Sequence, residues 1–335
     1  MNFDFTEDQY SLRDAAREFF AGESSPTHVR AMWASETGRS PELWKAMAET
    51  GFVGLTVPEE QGGLGLDEVD LVLLLEQAGY AALPEPLLET TAIGVPLLME
   101  AGTPEQQKEW LPRVAAGQAV VTVQLADPFV ADAHIADLLL LEQPGGELHA
   151  VPRDRFHAVY QPSLDGARRM FSVEAETGSD TLMAGGPTEA AKASDRAAAG
   201  TAALLNGISQ RMLDMAVAYA KERTQFGRQI GAFQAVKHKL AETLLVVETS
   251  KAAGWYAAYA IAADLPDRSE AASVAKSYAS DAEAKANAES LQVHGGIGFT
   301  WEHDLHLWLK RGKALEQSYG SATAHRAKLA ERIFA

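Results

Sequence analysis

Three helical stretches near the C-terminal end most constrain what this chain can fold into. ASDRAAAGTAALLNGISQRMLDMAVAYAKERTQF, GAFQAVKHKLAETLLVVETSKAAGWYAAYAIAA and SEAASVAKSYASDAEAKANAESLQVHGG follow one another from Ala193 onward. Each is longer than an ordinary surface helix, rich in alanine, and apolar on more than one face. A lone helix of this kind leaves apolar stripes in water. The pattern therefore predicts a four-helix bundle over residues 187–335 that also buries surface against partner subunits.

Two other zones precede it. Residues 1–116 read as short helices, with Thr6 as a cap, Ser40-Pro41 and Thr103-Pro104 as helix starts, and VPEEQGGLGLDEVD as a Pro/Gly loop. Residues 117–186 change period: VVTVQLA, ADLLLLEQ, ELHAVP and HAVYQP are short β-rich runs separated by turns, predicting a small antiparallel β unit. The 46 acids and 29 bases give a formal charge of −17, which argues against nucleic acid or an anionic membrane as a partner. With no cysteine, thiolate metal sites and thiol nucleophiles are excluded. The N-terminus lacks the pattern of a signal peptide and no apolar run approaches the ~20 residues of a membrane span, so a cytoplasmic protein is expected.

Four short stretches could carry chemistry. KERTQFGRQIGAFQ (221–234) is a basic island between two helices, with Arg223 and Arg228 and then Lys237 and Lys239. Such a group suits a phosphate or diphosphate, although a turn with solvated bases is the simpler reading. LQVHGGIGFTWEHD (291–304) places Gly295, Gly296 and Gly298 between helices, where the backbone can approach a ligand or merely turn. His303 and His306 lack helical i,i+4 spacing and a second ligand cluster, so no metal is expected. KALEQSYGSATAHR (313–326) breaks between helices at Tyr319–Ala322 and offers no carboxylate there.

Taken in order, FTEDQYSLRDAAREFF, GFVGLTVPEEQGGLGL, ERTQFGRQIGAFQ and QVHGGIGFTWEHD resemble the acyl-CoA dehydrogenase family over most of the chain. The resemblance implies a mainly α fold: a helical N-domain, a shortened antiparallel β-domain and a C-terminal four-helix bundle. It implies FAD, with a glutamate removing the α-proton of an acyl-CoA while the β-hydride passes to the flavin. By motif match, Arg223, Gln225, Phe226, Gln234, Gln292, Gly295 and Gly296 would hold the diphosphate and adenosine of a neighbouring subunit's FAD.

The family's usual glutamate falls at Gly320 here. The alternative position on an earlier bundle helix falls near Ala197, with Asp195 two residues away. The Thr-Glu-Pro-Gly run that contacts the flavin ring is missing, and QLADPFVADAH keeps little of it. The expectation is a subunit without a catalytic base. It would complete a longer acyl-CoA dehydrogenase subunit in an α2β2 heterotetramer, resembling those of actinobacterial steroid side-chain degradation. Its acceptor would be electron-transfer flavoprotein or another carrier. The competing expectations are a self-sufficient homo-oligomer with a displaced base, at Glu316, Asp195 or Asp165, and a flavin-free helical scaffold.

Overall fold

The computed structural model describes residues 4–334. Six helices come first: α1 (Glu7–Glu23), α2 (Pro26–Ala34), α3 (Pro41–Glu49), α4 (Glu68–Tyr80), α5 (Val95–Ala101) and α6 (Pro104–Ala115). Their starts are set locally. Thr6 and Gln9 form a capping box on α1, Thr103 and Gln106 one on α6, and Ser25 and Ser40 cap helices that open with proline. Between α4 and α5 lies a wholly buried π-helical turn, Leu88–Gly94. Its threonines are tied down from both sides, Thr90 Oγ1 donating to the Val121 carbonyl (2.8 Å) and Thr91 Oγ1 to that of Val53 (2.8 Å). That anchorage holds Glu89 facing the interior.

Six strands follow: β1 (Val121–Gln124), β2 (Val130–Ala131), β3 (Leu138–Glu142), β4 (Leu148–Pro152), β5 (Phe156–Gln161) and β6 (Met170–Ala175). They form two three-stranded sheets, ordered β1-β3-β4 and β2-β6-β5. All pairings are antiparallel except one. β1 runs parallel to β3, because the chain crosses to the second sheet at β2 before returning. Leu139 and Val151 from one sheet pack against Val130, Phe156 and Phe171 from the other.

The long helices are α7 (Pro187–Glu222), α8 (Gln234–Ala262), α9 (Arg268–His294), α10 (Leu305–Gln317) and α11 (Ala322–Phe334), with a two-residue hairpin, β7 (Thr224–Gln225) and β8 (Arg228–Gln229), between α7 and α8. α7 is the central rod, packed on α4, α8, α9 and α10. Gly79 and Gly207 let α4 and α7 touch backbone to backbone: a Cβ on Gly207 would sit 1.9 Å from the Glu76 carbonyl oxygen. No helix among the described residues is long and apolar enough to cross a membrane.

Candidate functional site

α7 stops at Glu222 because Arg223 turns extended (φ −68°, ψ 122°). The hairpin then closes through Phe226 and Gly227, both at positive φ (53° and 76°), the turn geometry that suits the twist of two short strands. Phe226 is 91% exposed, its ring meeting only the edge of Phe233 (6.1 Å between centroids), so this chain buries little of it. Arg228 lies 4.1 Å over the ring of Phe233, which leaves its in-plane N–H groups free to donate. α8 begins with Phe233 at the cap position and no side chain capping it, so the positive end of a 29-residue helix faces outward. Lys239 is committed to Glu289 (2.6 Å), whereas Arg223, Arg228 and Lys237 form no ion pair among the described residues.

The end of α9 reaches the same place. Val293 packs with Ala216 and Ala220 of α7, against Ile230 and with Val236 and Leu240 of α8. This small apolar cluster therefore brings the two predicted motifs to one end of the bundle. His294 supports the junction, stacked on Tyr219 (4.7 Å between centroids) with its Nδ1 paired to the Ser290 carbonyl (2.7 Å). Gly295 adopts φ 63° and ψ −143°, a region glycine alone occupies readily. Added Cβ atoms at Gly295 and Gly296 would meet nothing within 4 Å, and Gln292 beside them is exposed. Open backbone, two unpaired guanidiniums and an uncapped helix start together fit a diphosphate. His303 and His306 enter separate aromatic contacts, with His294 (4.5 Å) and Trp301 (4.6 Å) respectively.

The break before α11 has a different construction. Tyr319 and Gly320 both take positive φ, 55° and 96°. Lys276, wholly buried, donates from Nζ to the carbonyls of Glu316 and Gly320, 3.0 Å each. Burial lowers its pKa to about 8. His325 Nε2 lies 3.0 Å from the Tyr319 carbonyl and its Nδ1 3.1 Å from Ser273 Oγ, and burial pulls this imidazole down to about 4. A Cβ on Gly320 would lie 2.9 Å from His325 Nε2. Asp127, within QLADPFVADAH, accepts from the Tyr319 N–H (2.6 Å). Leu125, Ala126, Asp127, Tyr319 and Gly320 thus line one pocket of ≈ 220 Å³.

None of the remaining candidate bases opens onto that pocket. Ala197 is 0% exposed, and Asp195 accepts from Ser269 (2.7 Å) on another face of α7. Glu316 is held by Lys313 at 3.0 Å and faces Glu283, whose carboxyl burial and Glu316 push up to about 8. Asp165 is buried and paired with Arg311, tying the β-domain to α10.

Sequence reasoning missed a buried ionic network under the break. Arg168 pairs with Glu89 (2.7 Å), which also accepts from the Tyr319 hydroxyl (3.3 Å). Arg39 lies 3.8 Å from Glu85, and Asp132 sits among these charges. Four carboxylates (Glu85, Glu89, Asp132, Asp165) thus face three guanidiniums (Arg39, Arg168, Arg311). Burial pushes Asp132 up to about 7 despite the pull of Arg39, and burial also raises Glu85. These residues are scattered from 39 to 311, and no local motif marks them.

Two family descriptions match the chain: "Acyl-CoA dehydrogenase, N-terminal domain" over residues 6–118 and "Acyl-CoA dehydrogenase, C-terminal domain" over residues 185–334. Among curated relatives, acyl-CoA dehydrogenase IpdE2 of Mycolicibacterium smegmatis is 35% identical, covering 98% of this chain and 100% of that protein. IpdE2 of Mycobacterium tuberculosis is 34% identical over 93% of this chain and 92% of its own. The Tcur3481-Tcur3483 steroid ACAD superposes with TM-score 0.89 at 27% identity, covering 98% of each chain. The ChsE4-ChsE5 complex from Mycobacterium tuberculosis shares the fold, with TM-score 0.92 at 24% identity over 100% of this chain and 99% of that one.

Proposed function

The chain belongs to the acyl-CoA dehydrogenase family, and from that premise we propose that it is the subunit of a heteromeric dehydrogenase that holds the ADP half of a partner's FAD. FAD supplies the hydride acceptor for α,β-dehydrogenation of an acyl-CoA. Arg223 and Arg228 neutralise the diphosphate, and the start of α8 adds N–H donors. Gly295 and Gly296 let the backbone approach it, while Gln225, Phe226, Gln234 and Gln292 contact the adenosine side. The proton-abstracting carboxylate comes from the longer partner, in an α2β2 assembly.

One observation carries this reading. At the family's base position stands a glycine at φ 96°, with His325 occupying the space a side chain would need. The diphosphate end keeps its free cations and open glycines. Similarity to a structure described as a steroid ACAD supports a steroid-derived or otherwise bulky acyl-CoA as substrate. Electrons then pass to electron-transfer flavoprotein or an equivalent carrier, in the cytoplasm.

Purification of the chain alone and together with the longer dehydrogenase subunit encoded beside it is the direct test. Flavin absorbance and acyl-CoA turnover are expected only for the pair. A single chain carrying stoichiometric FAD and oxidising an acyl-CoA would overturn the proposal.

A further inference from the structure

Away from the flavin end, between α1, α4 and α7, two arginines stand without a carboxylate. Arg17 makes no side-chain hydrogen bond or ion pair among the described residues, and Arg211 makes only a long contact to the Tyr80 hydroxyl (3.5 Å). Both guanidiniums lie 5.2 Å from the centroid of the Tyr80 ring, and Arg211 is also 5.0 Å from that of Trp308. The Arg211 Nε is buried with no acceptor. A guanidinium resting on a ring keeps its planar fork of donors available for an oxyanion.

The pair lines one pocket of ≈ 170 Å³ together with Ser24, Ser25 and Gln77. Ser25 also caps α2, whose positive end opens there. Asp214, the nearby acid, is held by the Tyr80 hydroxyl and Gln210, each at 2.9 Å, and takes up neither guanidinium. What sets this pair apart is not the missing ion pair alone but that both guanidiniums lie against one ring and line one pocket. The pocket shares Arg17, Gln77 and Tyr80 with a larger groove of ≈ 380 Å³, which offers space beyond the cations.

We propose that Arg17 and Arg211 form an anion site that takes a phosphate group, separate from the flavin-diphosphate site. A doubly charged tetrahedral anion satisfies both forks and the serine hydroxyls together, whereas a planar monoanion satisfies one fork. The adjoining groove would accommodate the organic remainder of a small phosphate monoester.

Thermal unfolding and calorimetric titration of the full chain with inorganic phosphate, against chloride at matched ionic strength, test the site. Phosphate should bind and stabilise where chloride does not. Arg17→Gln, at an exposed position, should weaken binding about tenfold, since losing one charge-assisted hydrogen-bonding group has that order of effect. Arg223→Gln/Arg228→Gln should leave this binding intact. Tighter binding of glycerol 3-phosphate identifies a phosphorylated metabolite and equal binding identifies free phosphate, both supporting the site. A phosphate effect no larger than that of chloride overturns it. So does binding unaffected by Arg17→Gln, or binding abolished by Arg223→Gln/Arg228→Gln.

Discussion

At Gly320 the missing side chain and the backbone are one problem. A φ of 96° disfavours any residue but glycine, and the would-be Cβ lies against His325 Nε2. Restoring the family's carboxylate as Gly320→Glu is therefore expected to destabilise the chain by about 1–3 kcal/mol. It should yield no acyl-CoA oxidation by the isolated subunit; thermal unfolding and a turnover assay check both parts. At the other end, Arg223→Gln removes an exposed cation with no ion pair to lose. It should leave stability unchanged but lower the FAD affinity of the assembled complex about tenfold, read by flavin retained through dialysis. The sequence marked Gly320 only as an absence. That His325 fills the vacant space depends on how α11 folds back on α9, which no local pattern encodes.

Among the elements, helices with strong end signals were legible. α1, α3 and α6 begin where Thr6, Ser40 and Thr103 place them. The three long helices also follow from their apolar and alanine content. The strand β6 and the parallel β1–β3 pairing were not legible, since pairing partners lie in non-adjacent segments. The π-helical turn was equally hidden: its shape rests on Thr90 and Thr91 reaching β1 and the Val53 carbonyl rather than on propensity. The α4–α7 crossing yields a sharp prediction. Gly207→Ala pushes a methyl into the Glu76 carbonyl, so the helices must separate along a shared core. A loss of about 2–3 kcal/mol in denaturant unfolding is expected, although alanine is the better helix former.

Across the whole molecule, buried acids set the pH response. Asp132 and Glu76 are both raised to about 7, each chiefly by burial. A carboxyl raised above its unfolded value holds its proton better in the folded state, so its contribution is complete below pH ~4 and is lost as pH climbs through about 7. His325, lowered to about 4, acts oppositely, but only below its unfolded value near 6.5. Between pH 6.5 and 8 stability should fall by about 1 kcal/mol for each of these two acids; Glu283, raised to about 8, adds to the fall, and Lys276, lowered to about 8, opposes it. Asp132→Asn should remove its share of that slope in denaturant titrations at the two pH values. The network that binds Asp132 joins residues from the helical, β and bundle segments, so its protonation reports on how they are docked.

The backbone at Gly320 also bears on how such a subunit can evolve. Glycine codons GGA and GGG become glutamate codons by one base change and GGC and GGT become aspartate codons, so an acidic side chain lies a single base change from any glycine. Yet the loop is held by Lys276 and His325, and at φ 96° it rejects the side chain that mutation would deliver. Regaining the carboxylate would require compensating change on α9 and α11 before any benefit appeared. If the chain works as the partner-dependent subunit proposed above, a break of this shape makes that dependence a ratchet.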